Sequence, residues 1–268
     1  MATPDAQFER ELDVFLTEAE AGTQFFYAHL AVHAVAADHR PVDKLLNQAP
    51  LFWNTCLGAL QTAAFIALGR VCDQDSAHNL DRVLRIAQDN PQIFSKGALG
   101  RRKQGNNPEP PAWLDEYLRD AYEPTPMDFR RIRAHIQKRR KIYESNYRDL
   151  RRKVFAHKEL LEGVETAALW GKTNIRELQR LFAFLRSLHE ALWQLFFNGR
   201  KPVLRPSRYS VKRMRDLPSP AMRGKPVQER ITHEAEQFLT SASREKPHVS
   251  PGKKPAGAGR ELHPPAAG

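Results

Sequence analysis

A chain of 268 residues can bury one substantial core. Its two cysteines, Cys56 and Cys72, stand sixteen apart in an apolar stretch. That spacing fits neither a disulfide framework nor a zinc motif, and it points to a reducing, cytoplasmic compartment. The first ten residues carry acidic groups and no apolar signal core. The most apolar run, Leu57 to Gly69, is interrupted by Gln61 and is shorter than the roughly 20 residues a membrane span needs. A soluble protein with no membrane partner is the expectation.

Charge is unevenly placed within the total of +11: −5 over residues 1–100, +7 over 101–160, 0 over 161–198 and +9 over 199–268. Clustered Lys and Arg gain affinity for phosphates by releasing counterions, so the distribution favours a polyanion. A solvated basic tail accounts for the same excess.

In chain order, Phe8, Leu12, Phe15 and Ala19, then Phe25, Phe26, Leu30, Val32 and Val35, mark an amphipathic helix over about 5–37. Gly22 allows a break there, or a hairpin of two helices. Residues 49–72, opened by Pro50 and apolar nearly all round, predict a central helix. A shorter helix follows over 80–88 and ends before Pro91. Gly and Pro punctuate 97–112, which reads as a loop, and 113–122 as a short helix. A long helix over about 127–158 carries the stripe Phe129, Ile132, Ile136, Tyr143, Tyr147, Leu150, Val154. The last core helix, 174–197, has Asn174 or Thr173 as its cap and stops at Asn198-Gly199.

Prolines concentrate beyond residue 200, which divides the chain into a helical domain, 1–198, and a basic Pro-rich tail, 199–268. Residues 200–226 read as extended, 227–242 as one amphipathic helix, and 243–268 as disordered. No strand pattern or internal repeat is evident, so the fold class is all-α, an up-and-down helical bundle with a basic, partly disordered C-terminal tail.

The stretch Arg151-Arg152-Lys153-Val154-Phe155-Ala156-His157 carries the most chemistry. At 100° per residue, Leu150, Val154 and His157 share one face, whereas Arg151 and Arg152 lie about 120° and about 140° from His157. An arginine followed after four to six residues by histidine, late in a long helix, resembles the hallmark of HEPN domains. Both arginines satisfy that spacing. The runs Phe52-Trp53-Asn54, Leu68-Gly69-Arg70-Val71-Cys72-Asp73 and Lys153-Val154-Phe155-Ala156-His157-Lys158 are similar to the abortive-infection, AbiU2-like subfamily. The resemblance covers about Phe8 to Phe197.

It implies a metal-independent endoribonuclease without cofactor, a toxin in phage defence or in a toxin–antitoxin pair. Its expected partners are RNA, an antitoxin protein and a second copy of the chain, with the motif residues meeting at a homodimer interface. His157 would move protons and Arg151 or Arg152 would hold the phosphate, with Arg148, Lys153 and Lys158 binding RNA around them. Imidazole suits the proton steps near neutral pH, and a guanidinium fork suits a charged phosphorane. The position after the motif arginine holds Arg152 or Lys153, where active members often carry Asn, Asp or His. A degenerate helical scaffold binding a protein or nucleic acid is the alternative. The Arg208–Arg215 mixture of aromatic and basic residues could stack on single-stranded RNA or stay a flexible arm. His29 and His33, spaced i, i+4, lack the partners of a metal motif. Arg70, Asp73 and Asp75 at a helix exit could pair with each other or orient a group behind the site, a surface ion pair being the default.

Overall fold

The computed structural model describes residues 3–156, 163–207, 209–216 and 225–244. All regular structure among them is helical. His157, Lys158, Arg208 and, of the stretch 243–268 expected to be disordered, residues 245–268 lie outside the described residues.

α1 spans Pro4–Asp38 without a break, Thr3 accepting from the Ala6 N–H as its cap. Continuity through Gly22 follows from packing: a Cβ there would stand 3.0 Å from the Phe182 ring and 3.2 Å from Ala67, so two neighbours approach the bare backbone. α1 packs against α2 (Arg40–Gln48), α3 (Pro50–Cys72), α4 (Leu80–Asp89), α9 (Ile175–Asn198), α10 (Val211–Asp216) and α11 (Val227–Ala242). It, rather than α3, is the central helix.

α3 is split along its length. Its C-terminal half buries Ala64, Phe65, Ala67, Leu68, Val71 and Cys72, whereas Leu51 is 83% and Phe52 60% exposed. By length and composition α3 is long and apolar enough to cross a membrane, which reading only Leu57 to Gly69 as the apolar run did not register. Burial pushes the Cys72 thiol up to about 12, which keeps it protonated and inert.

The 97–112 segment is not all loop. α5 (Lys96–Gln104) starts where the Ser95 hydroxyl accepts from the Ala98 N–H, and buries Ala98, Leu99 and Gly100. Small residues let it lie close: Gly100 faces Leu118 of α6 (Leu114–Asp120). α9 begins as expected, with the Asn174 side chain accepting from the N–H groups of Arg176 and Glu177. It ends at Gly199 in the left-handed region, φ 57°, where a Cβ would stand 2.6 Å from Leu99 and 2.9 Å from Ala121.

α7 (Pro126–Asn146) opens on a capping box, Thr125 with Asp128. It does not run to 158. Tyr147, at φ −127°, interrupts it, and after a short α turn residues Leu150–Ala156 wind as a π-helix. The break is tied from outside: the buried Tyr147 hydroxyl donates to Glu177 Oε2 at 2.7 Å and accepts from the Asn174 N–H at 3.2 Å. The end of α7 is thereby fastened to the start of α9. A further helix, α8 (Gly163–Gly171), leads into α9.

The segment read as extended contains the short α10, and α11 forms over the range expected. Arg215 clasps both to α1, its guanidinium donating to Asp38 at 2.6 Å and to Glu236 at 2.8 Å. α11 is therefore docked on the bundle.

Candidate functional site

The motif segment packs on the C-terminal half of α3, and one glycine decides how closely. Gly69 and Asp73 stand i, i+4 on α3, sharing a face. Arg151 lies across the bare Gly69 backbone, where a Cβ would be 2.6 Å from its Nε, and reaches Asp73 at 3.0 Å. Asp73 is 8% exposed and Arg151 20%. Among the described residues Arg151 Nε and Asp73 Oδ1 are buried without hydrogen bonds. Beside them burial, and then the charge of Asp73, raise the Tyr143 phenol above its ordinary value.

Arg152 is placed differently. Its side chain is 42% exposed and faces Asp75 at 3.5 Å, a carboxylate itself 90% exposed. Such a pair contributes little and yields to a competing anion. Because the segment is π-wound, with its bonds running five residues back, angles taken at 100° per residue do not apply to these arginines. Arg148 approaches Glu144 only at 3.9 Å, and Lys153 is half-buried without an ion pair among the described residues. His157 and Lys158 lie outside the described residues.

Carboxylates of the turn after α3 and the start of α4 therefore meet the basic residues of α7 and the motif segment: Asp73 holds Arg151, Asp75 faces Arg152, and Asp81 of α4 meets Arg140 at 2.5 Å. The expectation that Arg70, Asp73 and Asp75 form one surface group is corrected, since Arg70 turns to Glu18 at 3.3 Å and Asp73 is buried. The Arg151 seat was the part sequence reasoning missed. Its signal was the Gly69–Asp73 spacing, which leaves a gap in front of a carboxylate.

Aromatic packing fixes the other side of the motif. Phe155 stacks on Phe65 at 4.9 Å with 15° between the rings, and Trp170 of α8 meets Phe155 edge-on at 5.8 Å. Phe155 is one turn beyond Arg151 and Phe65 one turn before Gly69, so the stack sets how the segment lies on α3.

Elsewhere, His29 and His33 meet ring to ring at 4.7 Å, and His29 Nδ1 donates to the Leu57 carbonyl at 3.2 Å. No group of three or more metal-ligating residues forms among the described residues. His189 is buried against Phe15, and burial lowers its pKa below the ordinary 6.5. The unfolded chain then binds more protons than the folded one as pH falls below about 6.5, so stability falls in that window. Thermal midpoints measured from pH 7.5 to 5 should drop in wild type and drop less in His189→Leu; parallel curves would exclude His189 as a source of the slope.

The family model described as AbiU2 matches residues 5–214, which takes in α1, α3, the acidic turn, the motif segment and α9. Comparison with curated proteins and with solved structures finds no significant match. With a match over most of its length, the chain belongs to the AbiU2 family of HEPN domains.

Proposed function

We propose that the protein is an RNA-cleaving HEPN toxin of abortive infection in which Arg152 and His157 form the reactive pair and Arg151 is structural. The observation that carries the reading is the unequal placement of the two arginines, one sealed onto Asp73 and one open to solvent beside a weakly held carboxylate. Arg152 with its four intervening residues keeps the family spacing to His157.

In cleavage through the RNA's own 2′-hydroxyl, a base removes that proton, the 2′-oxygen attacks phosphorus, and the 5′-oxygen leaves with a proton. A 2′,3′-cyclic phosphate and a 5′-hydroxyl result. Imidazole can take one proton and give the other, and a guanidinium fork holds the phosphorane charge through paired hydrogen bonds. Lys153, Lys158 and Arg148 add sequence-independent attraction for the backbone. The test is RNA cleavage by Arg152→Gln and His157→Ala at unchanged thermal stability.

A homodimer is part of this reading, supported by the exposed Leu51 and Phe52 at the start of α3. Phe52→Asp is expected to reduce the mass seen by light scattering from twice the chain mass to once; an unchanged mass would remove this face from consideration. An antitoxin protein would be a further partner. The scaffold reading is favoured by one feature, Lys153 in the place where active members often have Asn, Asp or His, and it predicts no cleavage by wild type.

A further inference from the structure

Four arginines from three parts of the chain converge on two adjoining clefts that share Ala183 as their floor. Arg139 of α7, Arg180 of α9 and Pro206 of the extended segment line one, of ≈ 310 Å³. Arg186, Ser187 and Arg205 stand around the other, of ≈ 180 Å³. None of the four makes an ion pair among the described residues, in contrast to Arg140, Arg151 and Arg215. Glu190 also lines the second cleft, and its carboxylate accepts from the Gln194 amide at 2.8 Å.

The clefts are built into the fold. Arg139 is half-buried, with its guanidinium 5.7 Å from the centre of the Phe184 ring. The extended segment is held by the Arg205 N–H, which donates to Ser187 Oγ at 2.7 Å, and by the Tyr27 hydroxyl, which donates to the Tyr209 carbonyl at 3.0 Å. Like charges brought together in this way repel one another unless an anion lies between them. Guanidinium forks match phosphate oxygens in pairs, and cations divided between two neighbouring clefts suit successive phosphates along a chain.

We propose that these clefts form an exosite for the phosphodiester backbone of RNA, separate from the Arg152 and His157 pair. The ligand's identity rests on the RNA reading above, but the site does not depend on the motif being catalytic.

The test is binding of a fluorescein-labelled 2′-O-methyl RNA, which cannot be cleaved through its 2′-oxygen, to the full chain by anisotropy between 50 and 200 mM salt. Arg139→Gln/Arg180→Gln is expected to bind about tenfold more weakly, with a slope of log affinity against log salt shallower by about 1.4, the share of two phosphate contacts on a single strand. Arg186→Gln/Arg205→Gln, at exposed positions where folding is not at stake, should shift both in the same direction. The proposal is overturned if wild type does not bind this RNA, or if either double variant, with an unchanged thermal midpoint, binds with wild-type affinity and slope. Binding of inorganic triphosphate to wild type without any RNA binding would assign the clefts to free polyphosphate and equally overturn it.

Discussion

Arg151→Ala is expected to lose about 3 kcal/mol of stability, because it leaves the carboxylate of Asp73, 8% exposed, without its counter-charge. Asp73→Ala should cost a similar amount from the other side, stranding a guanidinium whose Nε is already buried without a hydrogen bond among the described residues. Removing both charges is a different matter. Arg151→Met with Asp73→Leu leaves an apolar contact of similar volume over Gly69, and replacing a buried pair in this way is often neutral. Chemical denaturation of the two single variants and the double variant would show the pattern as a large coupling. Additive losses would mean that the pair is not the unit described.

Loss of toxicity in Arg151→Ala is therefore ambiguous, since an unstable protein loses every activity. The informative substitution is its neighbour. Arg152→Gln and His157→Ala are each expected to slow RNA cleavage by about 100-fold or more, the scale of losing one charge-stabilising donor or one general acid–base group. Arg152→Gln should leave the thermal midpoint nearly unchanged, because the contact with Asp75 is exposed at both ends. Cleavage assays on labelled RNA, read beside thermal melts, check both halves. Undiminished cleavage by folded Arg152→Gln would remove it from the chemistry.

The helical class and most helix positions were legible because apolar spacing and end signals agreed. α9 shows this best: Asn174 caps it and Gly199 stops it, both local chemistry written in adjacent residues. α5 was missed because glycines and cations hide its period, and what buries Leu99 is contact with Gly199 and its surroundings. The same limit applied to the motif. The stripe Tyr143, Tyr147, Leu150, Val154 reads as one α-helix, but the ties of Tyr147 to Asn174 and Glu177 come from nearly thirty residues away. The sequence could therefore suggest the motif's chemistry but not its winding.

The two arginines show where local reading stops. As neighbours with the same charge, both fit the family spacing, and only a gap at Gly69 in front of Asp73 separates their surroundings. That gap belongs to α3, far from the motif in sequence. The exposure of Leu51 and Phe52 was equally hidden, since an apolar helix reads as buried whether its partner is this chain or another.

The most direct measurement is the RNA cleavage rate of folded Asp73→Leu/Arg151→Met beside folded Arg152→Gln. Division of labour between the arginines predicts that the double variant still cleaves RNA while Arg152→Gln does not. Cleavage retained by Arg152→Gln and lost in a stably folded double variant would contradict it and give the phosphate to Arg151.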